Sequence, residues 1–66
     1  MTIQVNGQEQ EVEPDATLGR LVAAFRFNPR HVAVEVNEEL VPRRLYDATA
    51  LRGGDRVEIV TLVGGG

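Results

Sequence analysis

The 66-residue chain has no cysteine, and it also lacks serine, lysine and tryptophan. Without cysteine there can be no disulfide framework, zinc–thiolate site or thiol nucleophile. Without serine and lysine there is no serine triad, no Schiff-base lysine and no phosphate loop of the GK[ST] type. The single histidine, His31, makes neither a metal cluster nor a catalytic pair, so no metal site and no catalytic residue is expected. No apolar run approaches the roughly 20 residues of a membrane span, and Met1-Thr2-Ile3-Gln4 does not look like a signal peptide. The expectation is a cytoplasmic protein with no membrane partner.

What is present describes one small domain. At this size about 60% of the open chain's surface is buried on folding, which leaves no room for a deep active-site cavity. That argues against a self-contained enzyme. Seven arginines face ten acidic residues, a net charge of -3. Phosphate contacts need a basic patch, so nucleic acid is not an expected partner. The acids gather at Glu9, Glu11, Glu13 and Asp15, and again at Glu35, Glu38 and Glu39. Such runs read as solvated faces that keep a small protein soluble.

Along the chain, Thr2 to Asn6 alternates polar and apolar residues at the strand period. Asn6-Gly7 is a strong hairpin signal, because both central positions of a type I′ turn need φ > 0. Gln8 to Glu13 predicts the returning strand, and Pro14 stops it. Asp15 and Thr17 both offer a helix N-cap oxygen. Leu18, Leu21, Val22 and Phe25 then form one apolar stripe on a short helix that is expected to end at Asn28-Pro29. Gly19 within it costs roughly 1 kcal/mol relative to alanine. Phe27 is expected to pack beneath the following loop.

Val32, Val34 and Val36 predict a third strand with one buried face. Asn37-Glu38 turns the chain into a short fourth strand, Leu40-Val41-Pro42, which the proline confines to an edge. Leu45 to Leu51 predicts a loop with a helical turn, plugged by Tyr46 and Leu51. Gly53-Gly54-Asp55 is a tight turn, and Arg56 to Leu62 is the last strand, expected beside the first in the sheet centre. Two strands, a helix and further strands predict an α+β roll, one helix on a mixed sheet of four to five strands.

Two features exceed what a fold requires. On the last strand, Val57 and Ile59 should meet the helix, while Val60 and Leu62 point to the face where a one-sided sheet is normally polar. Either a central strand tolerates apolar residues on both faces, or Val60, Leu62 and Val63 form a partner-docking patch. The second feature is the terminus, Leu62-Val63-Gly64-Gly65-Gly66. We expect residues 1–62 to form the domain and 63–66 a flexible tail. Four residues extend at most roughly 14 Å, enough to enter a neighbour's narrow site. Glycines lack Cβ and thread a tight channel. The one reactive group presented is the Gly66 carboxylate.

At this length, these pieces together resemble the ThiS family of thiamine-pathway sulfur carriers, within the ubiquitin-like β-grasp superfamily. The resemblance spans the whole chain. It rests on the Asn6-Gly7 hairpin, the Thr17-Leu18 helix start, and the segments Val36 to Arg43 and Leu51 to Ile59. The Gly65-Gly66 terminus completes it, and Gly64 is a third glycine where the family pattern has two.

The resemblance implies that a ThiF-like adenylating enzyme uses ATP to convert the Gly66 carboxylate to an acyl-adenylate. Sulfur from a persulfide then displaces AMP and leaves a thiocarboxylate, which a ThiG-like thiazole synthase consumes. Gly64 and Gly65 would thread the partners' active sites. The carrier itself would bind no cofactor and act as a protein co-substrate. Carriers for another client, such as the small subunit of molybdopterin synthase or a carrier for cysteine synthesis, share this chemistry. A ubiquitin-like protein modifier is the reading from a different class.

Overall fold

The computed structural model describes residues 1–62. Strand β1 spans Thr2–Val5, β2 Gln8–Glu11, helix α1 Leu18–Ala24, β3 Val32–Val36, β4 Glu39–Val41 and β5 Arg56–Thr61. Two 3₁₀ segments, Pro29–His31 and Arg43–Ala48, complete the order. The five strands form one sheet in the order β2-β1-β5-β3-β4. β5 runs parallel to β1 and antiparallel to β3, and all other pairings are antiparallel. This mixed sheet covered by one main helix is the β-grasp arrangement, with five strands and the last strand at the centre.

Alternation along the strands sends Ile3 and Val5 of β1, Val34 of β3, and Val57 and Ile59 of β5 into the core. They meet Leu18, Leu21 and Val22 of α1, with Tyr46 and Leu51 closing one end as expected. Phe27 packs against this cluster, whereas Phe25, the fourth member of the predicted stripe, stays 38% exposed. Burying one such aliphatic side chain contributes about 1.5–3 kcal/mol, so this cluster dominates the stability of the domain.

Thr17 is the N-cap, its hydroxyl accepting from the Arg20 N–H at 3.2 Å, while Asp15 lies 3.8 Å from the Arg20 guanidinium. The helix ends at Ala24, earlier than the expected stop at Asn28-Pro29. The cause is a Schellman closure, in which Phe27 N–H donates to the Val22 carbonyl and Arg26 N–H to the Ala23 carbonyl. Arg26 carries the left-handed φ of 62° that this motif needs, a role usually taken by glycine. Asn28 then caps the Pro29–His31 turn. β2 also stops sooner than predicted, at Glu11 rather than Glu13, because only residues 8–11 face β1. β4 begins one residue earlier, at Glu39, and ends before Pro42, and β5 ends at Thr61 rather than Leu62. A Cβ at Gly19 would meet the Asp47 carboxylate, the movable end of an exposed side chain, so this approach does not by itself require glycine.

Both hairpins turn through asparagine. Asn6 and Gly7 have φ of 51° and 82°, and Asn37 and Glu38 have 52° and 71°, as type I′ geometry demands. Each asparagine also serves the central strand. The Asn6 amide donates to the Ile59 carbonyl at 3.2 Å, and Ile59 N–H donates back to Asn6 Oδ1 at 2.8 Å. Asn37 donates to Asp55 Oδ1 and accepts from Arg56 N–H, both at 3.0 Å. The Asn6 side chain thus stands in for the next residue of β1, where the parallel ladder with β5 stops.

Two predictions follow from this packing. Asn6→Gly keeps a backbone that tolerates positive φ but orphans both Ile59 groups, so it should cost about 1–3 kcal/mol in denaturant unfolding. A cost below about 0.5 kcal/mol would show that water replaces the amide. The second concerns pH. Burial raises the Tyr46 hydroxyl pKa above its ordinary 10.0, and Arg43 partly opposes this. The neutral phenol is thus favoured in the folded state. Its contribution is complete below about pH 10 and is lost as pH rises through the folded pKa. Thermal midpoints of the parent should fall above pH 10 more steeply than those of Tyr46→Phe.

Candidate partner-binding face and C-terminal exit

β5 leads to the terminus, and its two faces differ in kind. Val57 and Ile59 are 1% and 5% exposed, whereas Val60 and Leu62 are 57% and 54% exposed. The outward register read from the sequence is therefore observed. Ala33 of β3 stands directly opposite Val60, and Leu40 of β4 stands opposite Glu35 on the same outer face, 67% exposed. Leu40, which the sequence reading of Val60, Leu62 and Val63 did not include, is thus a separate exposed apolar residue in the row of Glu35 and Glu58. Its outward register behind the Asn37-Glu38 turn was the available signal, obscured because an edge strand of three residues shows little periodicity.

Exposed apolar side chains on neighbouring strands form a surface that water solvates poorly. The patch sits where the chain leaves the fold. Leu62 N–H donates to the His31 carbonyl at 2.7 Å, which fastens the end of β5 beside the start of β3. The sequence-predicted residues Val63, Gly64, Gly65 and Gly66 lie outside the described residues. His31 is exposed and adjoins Leu62 through that hydrogen bond, while Arg43 and Arg44 are exposed on the second 3₁₀ segment.

Below the apolar patch on the same face, Glu35, Glu38, Arg56 and Glu58 line a cleft of about 160 Å³. Elsewhere, an open groove of about 880 Å³ runs between the end of β2 and α1. Its walls include Val12, Pro14, Leu21 and Ala24, with Glu11, Glu13 and Arg20 also lining it. At its edge, the Thr2 hydroxyl donates to the Glu11 carboxylate. This bond, and then the N-terminal ammonium 3.6 Å away, lower the Glu11 pKa. Among the described residues no three His, Cys, Asp or Glu side chains converge to hold a metal ion. No described helix is long and apolar enough to cross a membrane.

The face assignment is testable by unfolding alone. Val60→Asp should shift the thermal midpoint by no more than about 4 °C, because a surface change stays within roughly 0.5 kcal/mol. Val57→Asp, which buries an unpaired charge, should leave the domain unfolded. Equal loss from both would place Val60 in the core.

Residues 3–66 match the sequence model of the ThiS family. The chain is 34% identical over 65 residues to the sulfur carrier protein ThiS of Bacillus subtilis, covering 97% of this chain and 98% of that protein. It is 38% identical over 66 residues to a thiazole synthase of Paramagnetospirillum magneticum, spanning all of this chain but 20% of that longer protein. The fold superposes on the crystal structure of the thiamine biosynthesis protein ThiS of Geobacter metallireducens with a TM-score of 0.85. Sequence identity there is 33%, and both chains are covered in full.

Proposed function

The chain belongs to the ThiS family, and from that membership we propose that it is a sulfur carrier of thiamine biosynthesis whose reactive group is the Gly66 carboxylate. The observation that carries the reading is the extent of the family match, which runs through residue 66 and so includes the glycine terminus. The apolar patch of Val60 and Leu62 at the exit of β5 supports it, since a presented terminus needs a docking surface beside it.

The chemistry begins with a carboxylate, which is a poor electrophile. A Gly66 oxygen attacks the α-phosphorus of ATP in a ThiF-like adenylating enzyme, and pyrophosphate leaves. A sulfide then attacks the acyl carbon and displaces AMP. Alternatively, the terminal sulfur of a persulfide attacks and a thiol cleaves the resulting S–S bond. Either route leaves a C-terminal thiocarboxylate. The carrier supplies no catalytic group of its own and binds no cofactor, ATP belonging to the activating enzyme. Gly64 and Gly65 serve as a thread narrow enough for both partners' channels.

A ThiG-like thiazole synthase accepts the sulfur. Support comes from thiazole synthases of two bacteria, each of which holds a segment similar to this whole chain within one polypeptide. The reactions consume ATP and a reduced sulfur donor, and we assign the carrier to the cytoplasm, where both are supplied.

Removing Gly66 should abolish adenylation while leaving the thermal midpoint almost unchanged. The loss withdraws the carboxylate by roughly 3.5 Å, and about 1 Å of misplacement can already cost 10²-fold in rate. A residue added after Gly66 should be nearly as harmful. ATP–pyrophosphate exchange with the cognate activating enzyme compares the three chains. Equal exchange would show that another group reacts, and the carrier reading would fall.

A further inference from the structure

Along β5 the outer face changes character in order: Arg56, Glu58, Val60, Leu62. Glu58 stands directly opposite Glu35 of β3, both exposed. A directly opposed pair brings its β-carbons to about 4.5–5.5 Å, and like charges at that spacing destabilise a sheet. The nearby cation does not resolve this, because the Arg56 guanidinium lies 3.5 Å from the Glu38 carboxylate. Three carboxylates and one guanidinium line the 160 Å³ cleft, and the guanidinium pairs with Glu38. The next cross-strand pair is Ala33 with Val60, so the acidic cleft and the apolar patch adjoin on one surface. By strand rise, Glu58 lies about 13 Å from Leu62.

We propose that these two halves form one contact surface for a protein partner of matching layout. That partner carries an apolar spot at the mouth of its tail channel and an arginine or lysine about 13 Å away that enters the acidic cleft. The proposal rests on the carrier reading and adds the partner's chemistry to it. Charge complementarity argues for this occupant. The opposed glutamates bring the isolated fold no benefit, and a guanidinium placed between them satisfies both, with a fork that suits carboxylate oxygens. The apolar half fixes the docking position and excludes water, while the acidic half steers a basic partner into register.

The test compares E35Q/E58Q with E9Q/E13Q, which removes the same charge from the β2 side of the molecule. Association with the cognate activating enzyme is followed by stopped flow at low and high salt, beside thermal melts and pyrophosphate exchange. For E35Q/E58Q the thermal midpoint should rise by about 2–4 °C. Its association should slow about 3- to 10-fold at low salt and lose most of its salt dependence. The control pair should change association less than about twofold. Unchanged association of E35Q/E58Q, equal slowing by both pairs, or a lowered midpoint would overturn the proposal while leaving the carrier reading standing. So would sedimentation showing that the cleft is instead covered by a second copy of this chain. A parent chain that supports no exchange would overturn the carrier reading and this proposal with it.

Discussion

The last strand of the chain is held between two partners that impose different geometries, and the rest of the molecule is arranged around that placement. β5 pairs in parallel with β1, through Gln4 opposite Arg56 and Val5 opposite Val57. On its other side it pairs antiparallel with β3 over five residues, from Val32 opposite Thr61 to Val36 opposite Val57. Because a one-residue slip would exchange the two faces of β5, the longer pairing with β3 also decides which side chains reach the helix. Burial of Val57 and Ile59 and exposure of Val60 are thus one structural decision.

The parallel pairing is short, and asparagine completes it. Where β1 turns away into its hairpin, the Asn6 amide meets the two backbone groups of Ile59 that no strand residue reaches. Asn37 does the corresponding work at the other end, joining the β3–β4 turn to Asp55 and Arg56. Both residues occupy left-handed turn positions, which asparagine tolerates better than most side chains. One residue type thus satisfies a local turn and a distant strand at once. Leaving those backbone groups unpaired in a partly buried setting would cost more than either turn gains.

A domain with few reactive side chains can still take part in chemistry if it presents a group well. The sheet holds β5 in register, and the Leu62–His31 hydrogen bond fastens its end. Val60 and Leu62 stand exposed around that end. In the carrier reading, the absence of cysteine is no obstacle, since the sulfur is carried on the backbone carboxyl. Specificity then falls to the outer sheet face, where Leu40 and the Glu35–Glu58 pair belong.

The sequence by itself determined most local structure. Asn6-Gly7 specified the first hairpin through its φ preferences, and Thr17 specified the helix start. Asn37 favoured the second hairpin, although Glu38 takes a left-handed φ of 71° that its type does not favour. The alternation of Val32, Val34 and Val36, and of Val57 with Ile59, specified the buried faces. Tertiary structure decided what depends on distant residues. The helix stopped at Ala24 because Arg26 accepted a left-handed conformation that its residue type does not advertise. Tertiary packing also brought the exposed Asp47 carboxylate against Gly19. Ala33 came to face Val60, and Glu35 came to face both Leu40 and Glu58, only through the register of the strands. Periodicity reports which face a side chain takes, but pairing between remote strands decides which side chains share it.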